Sequence, residues 1–161
     1  MVFKTTGNKS NSVILFFHAM GVTGESSMPV AEKMAEKYYC IMPTSTVYCS
    51  GQRYQSKRDE IQQIVRFLWN HGIKEIELIV ASSIGADLAM AFLTEIKIPV
   101  KHVFFDGGQF AQIGKTLKRI MWCDDDKIKP YFIEAGKNLT YGNLRRQLTD
   151  SLEDKPFSEL S

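Results

Sequence analysis

The stretch Ile76-Glu77-Leu78-Ile79-Val80-Ala81-Ser82-Ser83-Ile84-Gly85 decides the fold. Ile76 to Val80 is short, apolar but for Glu77, and rich in β-branched residues, so it reads as a strand. Leu88, Ala89, Phe92, Leu93 and Ile96 then recur at helical spacing, and that face ends before Pro99. Between the two lies a tight junction in which Ser83 has a small neighbour two residues away on each side, Ala81 and Gly85. Centring on Ser82 instead would put Val80 and Ile84 at those positions. Small neighbours let strand and helix approach around a strained turn, and the helix N-terminus then aims N–H groups at a developing oxyanion. Ser83 therefore has two readings here: a nucleophile in a strained turn, or an ordinary helix N-cap.

The same alternation extends outward from this junction. Val13-Ile14-Leu15-Phe16-Phe17 reads as a buried strand, followed by Gly21 and Gly24. Ser27-Met28-Pro29 opens a helix with Pro29 in the first turn. Tyr39-Cys40-Ile41-Met42 reads as a second strand stopped by Pro43, and residues 44–53 as a polar loop. Ile61, Ile64, Val65, Leu68 and Trp69 make one helix face, closed by Gly72. Val103-Phe104-Phe105 reads as a fourth strand. The order β-α-β-α-β-α-β predicts an α/β fold, a mostly parallel sheet with helices on both faces. Beyond Gly108 three helical faces follow: Ile113, Leu117, Ile120 and Met121; Ile128, Phe132 and Ala135; Leu144, Leu148 and Leu152. Breaks are expected near Asp124–Asp126 and Gly136–Thr140. The predicted division is a core over 1–110 and a helical, cap-like segment over 111–161.

In open parallel sheets, chemistry collects beyond the carboxyl ends of the strands. Phe17-His18-Ala19-Met20-Gly21 occupies such an end, after the first apolar strand. Together with the Ser83 junction it resembles the α/β-hydrolase superfamily of serine-hydrolase type. Ala81 and Ala19 stand where glycine is commoner. The resemblance implies an oxyanion hole formed by the backbone N–H groups of Met20 and Ile84. It implies that His18 braces the loop and is not the general base, with Gly21 and Gly85 in supporting places. Pro29 to Ala35 is also similar to that family. The family's Asp-x-x-Gly-x-Gly-x-Ser loop is missing, and Pro43 to Gly51 replaces it with Thr, Ser, Tyr and Cys. At the third strand end, Asp106 is a candidate triad acid or a residue that starts a turn or caps the next helix.

A serine hydroxyl needs an adjacent base, which in this superfamily follows the acid in the chain. The three histidines are His18, His71 and His102. His71 and His102 are expected at the amino-end face, away from Ser83. The resemblance thus covers roughly residues 10–110, a partial α/β-hydrolase fold in a chain that is either truncated or a complete short relative with a different base or no hydrolytic role. Two functions are carried forward. One is a serine hydrolase acting on a small ester or other acyl compound. The other is a non-catalytic α/β module binding a ligand or protein partner through the same face.

The chain has 161 residues, 44% of them apolar and 24% charged, which excludes disordered and coiled-coil classes. A net charge of +2 argues for neither nucleic acid nor an anionic membrane surface. No dinucleotide or phosphate-binding glycine pattern occurs, so no cofactor is expected, and no metal. Cys40, Cys49 and Cys123 read as reduced thiols of a cytoplasmic protein. Open sheet edges predict a homo-oligomer.

Overall fold

The apolar run at Val13–Phe17 is a central strand, and the sheet is built around it. In the computed structural model, which describes residues 1–107 and 140–153, five strands form one sheet. They are β1 (Val2–Thr6), β2 (Ser12–Phe17), β3 (Tyr38–Thr44), β4 (Ile76–Ser82) and β5 (Val100–Asp106), in the order β1-β3-β2-β4-β5. β2 pairs in parallel with β3 and β4, β4 pairs in parallel with β5, and β1 runs antiparallel along β3. The helices are α1 (Met28–Met34), α2 (Lys57–Asn70), α3 (Ile84–Glu95) and α4 (Tyr141–Glu153).

Strand side chains alternate between faces, and both faces of β2 are covered. Val13, Leu15 and Phe17 pack with Ile61, Ile64 and Leu68 of α2 and with Ala86, Ala89 and Phe92 of α3. Ile14 and Phe16 point the other way, onto Ala31, Met28 and Met34 of α1. The expected mostly parallel α/β sheet is therefore present, and the four parallel strands deliver their carboxyl ends to one edge.

Several local expectations change. β1 adds an antiparallel edge strand that its short, half-exposed sequence does not announce. β3 continues through Pro43 to Thr44. The ladder to β2 ends at Ile41, so a residue without an N–H can extend the strand along β1. Trp69 is 69% exposed. At about 100° per residue it lies at the margin of the α2 stripe centred on Ile61, past Val65. The stretch after Pro43 is not a solvated loop: every residue from Thr44 to Cys49 is buried, and Thr46–Tyr48 forms a 3-10 turn. Residues 108–139 and 154–161, with the faces at Ile113–Met121 and Ile128–Ala135, Cys123 and the Asp124–Asp126 break, lie outside the described residues.

Candidate active site

Ser83 links β4 directly to α3. Its φ is 52° and its ψ −120°, and among the described residues it is the one non-glycine with positive φ. Such a conformation costs on the order of 1–3 kcal/mol and persists only where its surroundings enforce it. Here they do. The Ser83 N–H donates to the Asp106 carbonyl at 3.0 Å, and the Ser83 carbonyl accepts from Ala86 N–H at 2.9 Å. Gly85 is pressed against β2. A Cβ there would lie 2.5 Å from the Phe17 carbonyl oxygen and 2.6 Å from that of His18. Ser83 occupies the N-cap position of α3, yet its side chain makes no capping bond. The N-cap reading thus lacks the bond that defines it.

His18 follows β2 and is 8% exposed. Ser45 N–H donates to its Nε2 at 3.1 Å, so that nitrogen is the acceptor. Nδ1 then carries the proton and donates it to the Ala19 carbonyl at 2.8 Å. This bond has a consequence one residue on. In a trans peptide C=O and N–H point in opposite directions, so holding the Ala19 carbonyl toward His18 turns the Met20 N–H away from it. Burial pushes the His18 imidazole below its ordinary value, against a smaller opposite effect of the Ala19 bond. The unfolded chain therefore binds this proton at higher pH than the folded one does. Stability from this group is complete above about pH 6.5 and is lost as the pH falls from there toward the depressed value. An NMR titration of the His18 ring is expected to give a midpoint below 6.5; a midpoint above it contradicts this arrangement.

The segment Thr44–Cys49 holds the loop 18–24 from beside it. Gly21 N–H donates to Tyr48 Oη at 2.8 Å, and Gly24 N–H to Thr44 Oγ1 at 3.0 Å. The Tyr48 ring stands edge-on to His18, centroids 5.4 Å apart. Glu60 of α2, 1% exposed, accepts from Thr46 N–H at 3.0 Å and from the Thr46 hydroxyl. Burial raises the Glu60 carboxyl above its ordinary value. Cys49 is buried against the Thr44 and Ser45 carbonyls, and burial raises its thiol. The sequence gives no signal for these contacts beyond polar residues at a strand's carboxyl end.

Helix α4 docks on Ser45 and on residues 52–57 through a polar stripe. Asn143 Oδ1 accepts from Tyr54 N–H at 3.2 Å, and its Nδ2 donates to the Gln52 carbonyl at 3.0 Å. Gln147 Nε2 lies 3.5 Å from Ser45 Oγ. Asp150 accepts from the Tyr54 hydroxyl and from Lys57 N–H, which places a carboxylate at the N-terminus of α2. Asn143, Gln147 and Asp150 are spaced i, i+4, i+7 and so share one face. Leu144 is buried beside them. Below, Lys57 Nζ and Asp87 Oδ2 form an ion pair at 3.0 Å with side chains 6% and 9% exposed.

Asp106 ends β5 beside Ser82, its register partner, whose hydroxyl is 3.5 Å from Oδ2. No bond joins its carboxylate to Ser83. A groove of about 290 Å³ runs from His18 and Ala19 past Val80 and Phe104 to Ser82 and Asp106. His71 closes α2, with Nδ1 2.8 Å from the Phe67 carbonyl. His102 pairs with Leu78 near the start of β4, roughly 16 Å from Ser83 by strand rise. Among the described residues no three His, Cys, Asp or Glu gather as a metal site, and no helix is long and apolar enough to cross a membrane.

No protein-family model matches the sequence, and no curated protein sequence matches it either. Solved structures do match. A protein described as of the α/β hydrolase family from Desulfitobacterium hafniense superposes with TM-score 0.75 at 14% identity, over 94% of this chain and 72% of its own. The chain has the α/β-hydrolase fold. A thermophilic esterase from Thermogutta terrifontis matches with TM-score 0.74 at 12% identity, over 99% of this chain and 69% of its own. An esterase from Exiguobacterium antarcticum matches with TM-score 0.74 at 11% identity, over 98% and 70%. In this fold the Ser83 turn and the loop at His18 lie on the carboxyl edge of the sheet and touch through Gly85.

Proposed function

We propose that the chain is a serine hydrolase acting on a small ester or related acyl compound. The observation that carries this reading is the positive φ of Ser83 between a strand and a helix, without a capping bond from its side chain. In the reaction, Ser83 Oγ attacks the acyl carbon and its proton leaves to a base. The N–H groups of Met20 and Ile84 receive the negative charge on the former carbonyl oxygen. His18 acts only through the loop, since both of its ring nitrogens are engaged. Asp106 is the acid candidate at the neighbouring strand end.

One observation favours the second reading, a non-catalytic module that binds a small acyl compound or a partner chain on the same edge. His18 is committed to the loop, His71 lies at the far end of α2, and His102 lies low on β5. The base for Ser83 must then be another group. Hydrolysis of p-nitrophenyl acetate by the intact chain and by Ser83→Ala separates the readings. A serine hydrolase loses about 10³-fold or more in the variant. Equal rates in the two proteins favour the binding module.

A further inference from the structure

We propose that Tyr48 is a positioning residue for the oxyanion loop, holding the Met20 carbonyl in place by anchoring the Met20–Gly21 peptide. The inference rests on the reading of Met20 N–H as an oxyanion donor.

The loop from His18 to Gly24 leaves the sheet, so its backbone amides need partners other than strand neighbours. Met20 sits between two peptide planes, and each plane is held from a different side. The Ala19–Met20 plane is fixed at its carbonyl by His18 Nδ1, at 2.8 Å. The Met20–Gly21 plane is fixed at its N–H by Tyr48 Oη, also at 2.8 Å. With both planes set, the two backbone angles of Met20 are set as well.

The second anchor is the more vulnerable one. Gly21 has a φ of 82° and no Cβ, so its side of the plane offers little steric resistance to a flip. A flip would swing the Met20 carbonyl round, and a carbonyl near an oxyanion repels where an N–H attracts. Tyr48 is well placed to prevent this. It is 3% exposed, and its turn is held by Ser45 Oγ, which accepts Val47 N–H at 3.3 Å, and by Glu60 on Thr46. The same ring packs edge-on against His18, so one side chain touches both anchors.

The test uses two variants of the full chain. Tyr48→Phe keeps the ring and removes the acceptor. Thr44→Val removes the other loop anchor, at Gly24, three residues further on. In Tyr48→Phe, hydrogen exchange at the Gly21 amide is expected to speed up about tenfold while amides in β2 and β4 are unchanged. On p-nitrophenyl acetate, kcat is expected to fall about tenfold with KM within about twofold of the intact chain. Thr44→Val is expected to expose the Gly24 amide and to lower kcat by no more than about threefold, well short of the Tyr48→Phe loss. Unchanged Gly21 exchange in Tyr48→Phe overturns the proposal. So does an equal kcat loss in both variants, which would mark general loosening of the loop. If the intact chain does not hydrolyse the ester but Gly21 exchange still depends on Tyr48, the hydrolase reading fails and the anchor stands.

Discussion

Lys57→Met is expected to destabilise the chain by about 3–5 kcal/mol in urea unfolding. Lys57 and Asp87 meet at 3.0 Å between α2 and α3, with side chains 6% and 9% exposed. Two effects compete there. Removing the ammonium spares the desolvation of one ion, and methionine fills the space with apolar contact. It also leaves the Asp87 carboxylate in the same enclosure, near the buried Glu60, without its opposite charge. The second effect is larger, because an uncompensated buried charge costs several kcal/mol while a filled side-chain volume returns less. The double variant Lys57→Met with Asp87→Leu removes both charges and is expected to recover most of the loss. A single variant within about 1 kcal/mol of the intact chain would show that Asp87 finds water or another partner.

Gly85→Ala is expected to destabilise the chain although it adds one methyl group inside a helix. Alanine is favoured over glycine in a helix by about 1 kcal/mol, so local propensity alone predicts stabilisation. The contact reverses the sign. The added Cβ would meet the Phe17 and His18 carbonyl oxygens at 2.5 and 2.6 Å, and neither is the end of a flexible side chain. α3 must therefore move off β2, at a cost of about 1–3 kcal/mol. That movement separates the Ser83 turn from the loop at His18, so activity should fall further than stability. Gly142→Ala, in α4, is the matching control. Nothing lies within 4 Å of a Cβ there, and the expected change is neutral to about 1 kcal/mol stabilising. Thermal unfolding of the two variants side by side checks the opposite signs.

The features legible in the sequence are those whose cause is local. Ala81, Ser83 and Gly85 announce their turn because the turn itself demands small neighbours. The loop at His18 is legible through the resemblance that Phe17 to Gly21 carries after the first apolar strand. What is hidden depends on partners far along the chain. Thr44–Cys49 is polar and reads as solvated, yet it is buried because His18, Gly21, Gly24 and Glu60 consume its hydrogen bonds. Leu144, Leu148 and Leu152 suggest an apolar seam for the last helix. Leu144 is buried, but the docking bonds come from Asn143, Gln147 and Asp150. Lys57, Glu60 and Asp87 carry charges that ordinarily mark a surface, so periodicity gives no hint that they are inside. Trp69 errs in the opposite direction: apolar type placed it in the core, and its angle on the helix puts it outside.

The proposed role of Ser83, a nucleophile held in a strained turn, can be tested on the intact chain. The most direct measurement is the intact mass and the peptide map of the chain after treatment with a fluorophosphonate ester. That reagent forms a covalent phosphonyl bond to an activated serine oxygen and releases fluoride. A single adduct is expected on the peptide containing Ser83, absent from Ser83→Ala and reduced in Tyr48→Phe. An unmodified chain, or an adduct on another serine that persists in Ser83→Ala, would contradict it.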